Sequence, residues 1–374
     1  MPSLLSPQER ATALSAFAAT RTGREKPSSY WKIDLDNLTL PQAHDAGSVT
    51  IENSSRAIAV DLATAMQQHA DGLGRAFRVA IEPQHKFAHL ALANLRLGAF
   101  IHVPADYAID EPIVVRYRAL AGETIFPYTV VLAERGARVT IIERLELGAG
   151  SFACGVAEVV TEEAADVTYA SAQFAPDDAR VLFTRAARPG RDARIAWASA
   201  ELGAGLSVSD LAIAIAQPGA EAKIATLFFP TGSQHVDVMS SIDHRTGDAT
   251  SETLVKSAAA GKGQGRYLGN IRIAAHAQHS DASLRDDALL LSPAAHIDSI
   301  PALEIAANDV KAYHGATVGA LDDESIFYMT SRGIEREAAE RMIALGFFEP
   351  AIDRFPTESL RDELRVALQA KVTA

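Results

Sequence analysis

Cysteine is almost missing from this chain of 374 residues, since Cys154 is the only one. A single cysteine excludes an intrachain disulfide, and it also excludes a four-thiolate metal site built within one chain. Cys154 lies in the strand-like segment SFACGVAEVV, where a free cysteine is most often a small, buried and inert apolar side chain. Cysteine usage therefore gives no sign of an oxidising compartment.

Basic residues are fewer than acidic ones, and the chain has no long apolar run. Lysine and arginine number 35 against 47 acidic residues, which gives a formal net charge of −12. This charge repels phosphate backbones, and no basic stripe with interleaved aromatic residues offsets it, so nucleic acid is not an expected partner. No apolar run reaches the length that spans a bilayer, and the first residues lack the features of a signal peptide. We therefore expect a cytoplasmic protein with no membrane partner.

Apolar residues, in contrast, are numerous enough for a large core. Hydrophobic residues make up 48% of the chain and charged residues 22%, a balance that excludes intrinsic disorder. At this length two or three structural regions are expected. The sequence patterns change near residues 98 and 312. We therefore predict an N-terminal helical region (1–98), a β-rich core (99–312) and a C-terminal helical domain (313–374).

Helical signals dominate the first region. Ser6 has the spacing of an N-cap, with a proline at the first helical position and Glu9 completing a capping box, which predicts a helix that runs to about Arg21. Pro27 then breaks the pattern. Two further helices are predicted over 60–73 and 86–97, and apolar residues are so frequent in the second of these that it should pack against other elements.

The core carries an internal repeat of short β-branched segments. RGARVTI, EAADVTY, RDARIAW, PGAEAKI and, more weakly, TGDATSE align on alanines separated by 28, 28, 27 and 29 residues, namely Ala137, Ala165, Ala193, Ala220 and Ala249. Such a period, with strands and no helices, is typical of a β-solenoid whose coils stack to bury a shared interior. A β-sandwich is the alternative, but the repeating segments lack the Asn-Gly and Asp-Gly pairs that mark tight hairpins. We predict a mainly β fold with a parallel β-helix core flanked by helical regions.

Helical periodicity returns after Leu321. Asp322 or Asp323 can cap a short helix that ends at Gly333, a second helix is predicted over 335–348 and punctuated by Pro350, and Thr357 can cap a third. These helices either cover the end of the solenoid or present a face to another protein.

A glycine-rich segment and a set of histidines suggest binding sites that their spacing does not support. GKGQGRYLG (261–269) lacks the Ser or Thr that follows the lysine of a phosphate-binding loop, and a strand rather than a helix follows it, so we predict a turn. A metal site would draw on Asp243, His244, His276, His279, Asp281 and His296. The second and third of these histidines are three residues apart, which on a strand points them to opposite faces. We interpret the whole set as polar surface residues at solenoid corners.

Pairs of adjacent carboxylates suggest an alternative function. The pairs are Glu162-Glu163, Asp286-Asp287 and Asp322-Asp323, and an acidic groove on a β-helix would suit a carbohydrate-active lyase or hydrolase. Neighbours on a strand point to opposite faces, however, and aromatic residues make up only 6% of the chain, which is few for stacking sugar rings. No G-x-S-x-G or HExxH motif is present.

The stretch from 299 to 334, SIPALEIAANDVKAYHGATVGALDDESIFYMTSRGI, is the most informative part of the chain. It joins an apolar strand to a lysine and a histidine that look buried, Lys311 and His314, and then to a small-residue turn and a short helix. It closely resembles the C-terminal signature of the SufB/SufD family, P-x-LEI-x-A-x-DVK-x-x-HGATVG-x-LD followed by a helix that ends in SRGI. Looser resemblance extends over most of the chain and includes Ser29-Tyr30-Trp31.

The resemblance implies a non-catalytic scaffold of iron–sulfur cluster assembly. SufD-like members pair with SufB through their β-helices and bind the SufC ABC ATPase through their C-terminal helices. The cluster-assembly interface would then include His314 and Lys311, with His314 as a candidate metal ligand shared with a partner chain. A cluster would be transient there, and no cofactor would bind tightly to this chain alone. The implied ATPase-binding residues are Ser331, Arg332, Gly333, Ile334, Glu335, Ala338, Ala339 and Met342.

One departure from the family pattern concerns the candidate metal ligand. Many relatives have a cysteine two residues before this histidine, where this chain has Ala312. Cluster thiolates would then come mainly from a partner, which favours a SufD-like over a SufB-like member. The resemblance leaves open whether the isolated chain forms a homodimer or a heteromer, and whether His314 ligates iron or shapes the interface.

Overall fold

The computed structural model describes residues 5–20, 33, 35, 38, 40, 47–81 and 85–372. The predictions made for Arg21, Pro27 and the Ser29-Tyr30-Trp31 element lie outside the described residues. Within them, strands greatly outnumber helices, and the strands form two long sheets.

Each sheet is a stack of strands from successive coils. The first, sheet A, contains in spatial order β1 (Ser48–Glu52), β4 (Ile113–Ala119), β7 (Arg138–Leu147), β9 (Asp166–Gln173), β11 (Arg194–Glu201), β13 (Glu221–Phe228), β15 (Thr250–Ala259), β17 (Asp281–Leu290) and β19 (Lys311–Gly319). The second, sheet B, contains β2 (Ile58–Asp61), β3 (Leu97–Val103), β6 (Pro127–Ala133), β8 (Phe152–Thr161), β10 (Arg180–Arg188), β12 (Leu206–Ile215), β14 (His235–His244), β16 (Gln264–Ile273) and β18 (His296–Ile305), with β5 (Thr124–Ile125) also paired to β8.

The chain alternates between the two sheets, so each coil contributes one strand to sheet B and the next to sheet A. From β3 and β4 onward all pairings are parallel. This confirms the predicted parallel β-helix. The repeated alanines, from Ala137 to Ala249, stand directly before the strands β7, β9, β11, β13 and β15 and are fully buried. A small side chain is needed there because neighbouring corners stack at close range.

Three apolar layers hold the molecule together. Inward-facing residues of both sheets form the solenoid core. The outer face of sheet B, which includes the buried Cys154 and Leu182, packs against the N-terminal helix α4 (Lys86–Ala93) through residues such as Phe87 and Leu90. The outer face of sheet A, which includes Ala170, packs against the C-terminal helices. Both sheets are therefore buried on two faces along much of their length.

Two N-terminal helix predictions were wrong at their boundaries. The segment predicted as one helix over 60–73 begins as the end of β2 and then forms two short helices, α2 (Leu62–Gln68) and α3 (Ala70–Gly74). The helix predicted to reach residue 97 ends at Ala93, and Leu97 begins β3. Tertiary pairing of the apolar residues with the first coil overrides their helical spacing. Helix α1 (Pro7–Ala19) has the predicted capping box at Ser6 and Glu9.

The C-terminal helices begin and end close to the predicted positions. Asp322 caps α5 (Asp323–Ser331) by accepting from the N–H of Ser325 at 2.9 Å. Thr357 accepts from the N–H of Leu360 at 3.3 Å at the start of α7 (Glu358–Val372). Helix α6 (Arg336–Ile352) is longer than predicted because Pro350 lies within its last turn instead of ending it.

The C-terminal helices cover a flank of the solenoid, not its end. Phe348 of α6 stacks on Phe229 of the solenoid, with ring centroids 5.9 Å apart, and Leu364 of α7 is fully buried in the same cluster. The division into regions at residues 98 and 312 stays a prediction. It places β1 and β2 in the N-terminal region and most of β19 in the C-terminal one.

Candidate site at the open end of the solenoid

The two ends of the solenoid are built differently. At the first coil, β1 and β2 pair antiparallel with β4 and β3 and so cover that end. At the last coil, β18 and β19 each have a neighbour on one side only. Residues on these strands are more exposed than their counterparts one coil below: Ile305 is 41% exposed, whereas Ile273 in register with it is fully buried. Among the described residues the last coil therefore presents two unpaired strand edges, a surface that favours association with another chain.

His314 lies on this open coil and faces the interior column. It is in register with Leu284, a fully buried inward-facing residue of β17. Lys311 is in register with the exposed Asp281. The interpretation of Lys311 and His314 as buried was wrong, because both are exposed in the isolated chain. Among the strands that the structure describes, none stacks on the outer side of β19, and a partner would have to supply that layer.

The chain has no thiol near this position. Ala312 occupies the inward-facing position two residues before His314, in register with Ala282. The thiol of Cys154 is buried beside the carbonyl of Phe87, 3.5 Å away, and burial raises the pKa of Cys154 well above its ordinary value. A protonated thiol without solvent access is neither a nucleophile nor a ready metal ligand. The prediction of an inert Cys154 therefore fits its surroundings.

One coil below the rim, Asp286 is fully buried among inward-facing residues. Its Oδ2 accepts a hydrogen bond from the hydroxyl of Ser299 on β18, while its Oδ1 has no hydrogen-bond partner. Burial raises the pKa of Asp286 from 3.8 to about 7, and the neighbouring Asp287 carboxylate adds to that shift. The sequence does not reveal which of the two acids faces inward, because only the strand register distinguishes Asp286 from Asp287.

Polar groups deeper in the solenoid are largely paired with one another. Glu143 accepts from the hydroxyls of Thr129 at 2.6 Å and Tyr169 at 2.7 Å, and burial raises the pKa of this carboxyl. Arg185 and Glu201 form a buried ion pair with a 3.0 Å N–O distance. Each pair joins side chains on different strands, and their positions indicate structural pairing within the interior.

The histidines considered for a metal site are dispersed. His244 was interpreted as a surface residue but is fully buried, with its Nε2 2.8 Å from the hydroxyl of Ser251, and burial lowers its pKa to about 4. His276 and His279 lie in the turn between β16 and β17 and not on a strand, and His279 contacts Asp248 and Asp309 at 3.1 and 3.2 Å. Within the described residues, no group of three or more His, Cys, Asp or Glu side chains could hold a metal ion.

The adjacent carboxylates likewise have structural contacts. Asp287 points outward to the ammonium of Lys256, 2.8 Å away, whereas Asp286 points inward, as predicted for neighbours on a strand. Asp322 caps α5, and Glu162 pairs with Arg75. No observation on these pairs favours a carbohydrate-active enzyme.

A second exposed surface lies on the C-terminal helices near the segment that ends in SRGI. We call helix face C the exposed side chains Phe327, Tyr328 and Met342, which are 74%, 60% and 55% exposed. The guanidinium of Arg332 lies over the Tyr328 ring, 5.2 Å from its centroid. Gly333 ends the α5 turn with φ of +86°, a conformation that glycine adopts without strain.

Most of the residues predicted to bind an ATPase lie beside helix face C. Ser331, Arg332, Gly333 and Glu335 are exposed, and Ile334 and Ala338 are half-buried. Ala339 is fully buried, so its predicted contact with a partner was wrong. It supports the packing of α6 instead.

Comparisons with known proteins agree with the resemblance seen in the sequence. A family model described as SUF system FeS cluster assembly, SufBD core domain, matches residues 116–347. The iron–sulfur cluster assembly protein SufD of Bacillus subtilis is 28% identical over 324 residues, covering 84% of this chain and 74% of that protein. An iron–sulfur cluster assembly SufBD family protein of Staphylococcus epidermidis is 26% identical over 305 residues, covering 80% of this chain and 65% of that relative.

A Mycobacterium bovis protein of the iron–sulfur cluster assembly SufBD family is 28% identical over 298 residues, covering 77% of this chain and 74% of that protein. In the part of the chain that the structure describes, no helix has the length and apolar character needed to cross a membrane.

Proposed function

Because the chain belongs to the SufBD core family of the SUF system for iron–sulfur cluster assembly, we propose that it is a SufD-like, non-catalytic scaffold subunit of a cytoplasmic assembly complex. The observation that carries the proposal is the open last coil, which places His314 of the family signature on an unpaired edge. Ala312 in place of a cysteine supports the SufD-like assignment, since the thiolates would come from a partner.

The proposed pairing with a SufB-like subunit uses the edges of β18 and β19. Each edge offers unpaired backbone N–H and C=O groups, and apolar side chains such as Tyr313 and Val318 are exposed beside them. A partner strand added to each edge would continue both sheets and bury these side chains. His314 and Lys311 would then lie at the junction, where a transient cluster would be built. A second copy of this chain is the alternative occupant in the absence of SufB.

The proposed ATPase contact uses helix face C and the adjoining SRGI segment. Exposed aromatic and methionine side chains are typical anchors of protein interfaces, and Arg332 and Glu335 can orient the bound ATPase through charge. Helix α6 also packs on β13 and β15 of the solenoid. Movement of a SufC-like ABC ATPase against these helices would therefore act on the scaffold directly.

His314 supplies an imidazole, a suitable nitrogen ligand for ferrous iron. In this proposal iron is cargo of the complex, and His314 holds it jointly with groups of the partner chain. Lys311, on the outward face of the same strand, contacts the partner rather than the iron.

Co-expression with SufB-like and SufC-like subunits tests the proposal, with purification on a tag carried by this chain. We expect both subunits to co-purify with wild type and with His314→Ala, and we expect His314→Ala to lose most of its bound iron and sulfide. Asp281→Asn, on the outward face of the neighbouring strand β17, is the matched control and should keep the cluster. Failure of wild type to retain the ATPase would contradict the scaffold function, and a His314→Ala complex equally rich in iron would reduce His314 to a structural residue.

A further inference from the structure

Asp286 is a buried carboxyl group that the proposed scaffold contacts do not use. It lies on β17, the strand next to the open edge of sheet A, and none of its side chain is exposed. Ser299 satisfies one carboxyl oxygen from the opposite sheet, and the other oxygen is buried without a partner. Lys256, a cation whose charge acts on Asp286, is paired with Asp287 on the outer face.

Asp286 differs chemically from the other inward-facing residues at this end of the solenoid. Inward-facing positions of the last four strands carry small or apolar residues with few exceptions, and they contain a single carboxylate, Asp286, and a single imidazole, His314. Above Asp286, in register on the last coil, stands Ala316. The side chain of Ala316 is only a methyl group. The carboxyl group of Asp286 therefore has little side-chain cover on the side that would face a partner.

The distance between the two groups suits a shared ligand. His314 lies one strand over and two residues along from Asp286. A strand spacing of about 4.8 Å and a rise of about 3.3 Å per residue place their Cα atoms about 8 Å apart, with both side chains on the inner face. That separation lies within the combined reach of a carboxylate, an imidazole and two metal–ligand bonds of about 2 Å.

Leaving a carboxyl oxygen unpaired in the interior is unfavourable. A buried polar atom without a partner destabilises the fold, and such atoms are rare enough that each calls for a physical reason. An apolar residue would suit this column equally well for packing, since Val255 occupies it one coil earlier. A ligand that arrives with assembly supplies that reason.

We propose that Asp286, with Ser299 holding its carboxylate in place, is a further iron ligand at the inner rim of the solenoid and shares a ferrous ion with His314. The inference rests on the proposed scaffold function. A carboxylate supplies the anionic ligand that the chain lacks in the absence of a thiolate, and oxygen together with imidazole is a ligand set that ferrous iron accepts. Two ligands from this chain leave the remaining positions to the partner.

The test compares iron in the co-expressed complex for wild type, Asp286→Asn, Ser299→Ala and the matched control Asp281→Asn. Asp281 lies on the same strand but faces outward, so its substitution leaves the inner rim unchanged. We expect Asp286→Asn to lower the bound iron at least fivefold, Ser299→Ala to lower it by a smaller factor, and Asp281→Asn to leave it unchanged, with subunits co-purifying in every case. Urea unfolding of each isolated variant confirms folding.

A complex of Asp286→Asn that assembles normally and holds wild-type iron overturns the inference and leaves the scaffold function standing. If wild type itself does not assemble, the scaffold function fails. In that case, anaerobic titration of the isolated full chain with Mn²⁺ tests the proposed site. The electron paramagnetic resonance signal of free Mn²⁺ measures the binding. Binding that weakens at least tenfold in both Asp286→Asn and His314→Ala, but not in Asp281→Asn, supports the site, and absent or unchanged binding overturns it.

Discussion

At the scale of the residue, the properties of a side chain in this solenoid depend on whether it points inward or outward from its strand. Asp286 and Asp287 are adjacent in sequence, yet one accepts from Ser299 inside and the other pairs with Lys256 outside. The inward-facing carboxyl group of Asp286 is buried away from water, whereas the outward-facing carboxylate of Asp287 forms an ion pair with Lys256. Chemically identical side chains thus acquire different properties from a single step along a strand.

The burial of Asp286 predicts a pH dependence of stability. The pKa of this carboxyl is about 7 in the folded chain against an ordinary value of 3.8, so the folded state binds the proton more tightly. Its contribution to the free energy of unfolding is fully present below about pH 4 and is lost as the pH rises towards 7. We expect Asp286→Asn to unfold with a flatter pH profile over this window and to be more stable than wild type at pH 7.

Urea unfolding of wild type and Asp286→Asn between pH 4 and 8 measures this difference. The groups that face or act on Asp286 are Ser299, Asp287, Lys256 and the buried Tyr267, and all four are retained in the variant. His244, whose lowered pKa acts in the opposite sense as the pH falls from 6.5 to about 4, is also common to both proteins and cancels in the comparison. Parallel profiles would show that Asp286 is ionised in the folded chain.

At the scale of the element, α7 is held to the solenoid by one apolar stripe. Leu360, Leu364 and Leu368 recur every fourth residue and are fully buried against sheet A and α6. The polar side of α7 includes the half-buried Lys371, which donates to the side-chain oxygen of Gln234 at 2.9 Å. The alanines on the outer face of sheet A, such as Ala170 and Ala198, let the helices approach closely.

Truncation of the central leucine of this stripe should loosen the C-terminal helices. We expect Leu364→Ala to lower the free energy of unfolding by about 2–5 kcal/mol, because it removes buried methyl groups and leaves a cavity. Val366→Ala is the matched control, since Val366 is 68% exposed on the same helix and should change stability by about 0.5 kcal/mol or less. Urea unfolding measures both, and equal effects would contradict the packing of α7 described above.

At the scale of the whole molecule, the asymmetry between the two ends determines how the solenoid can associate. Antiparallel β1 and β2 terminate one end, whereas β18 and β19 leave the other end open. The exposed apolar residues at the open rim include Ile305 and Val318. A charge introduced there should oppose pairing, because a lysine on an edge strand would be desolvated by the added strand.

Val318→Lys should therefore weaken association at least tenfold while leaving the chain folded. Sedimentation velocity of the isolated chain measures self-association, and co-purification measures association with a SufB-like subunit. Val366→Lys, on the exposed side of α7 and away from the rim, is the control and should associate as wild type does. If Val318→Lys associates normally, pairing uses another surface and the proposed edge contact is wrong.

Local and periodic features of the fold could be predicted from the sequence. The capping groups at Ser6, Asp322 and Thr357 act on neighbours two or three residues away, so sequence spacing is sufficient to find them. The repeated alanines predicted the solenoid because each coil repeats the same steric requirement at its corner. The ends of the helices near residues 60 and 97 could not be placed in this way, since pairing with the first coil decides them.

The sequence by itself determined the coil period, the parallel β-helix, the family and the position of His314 in the family signature, because each depends on residue order along one chain. Only the tertiary structure decided that His314 and Lys311 are exposed, that Ala339 is buried, and that Asp286 faces inward beneath Ala316. Those properties depend on which coil is last and on what lies above it. Asp286 and Ser299 are 13 residues apart in sequence and lie on different sheets, so only the stacking of one sheet over the other brings them together inside the open end.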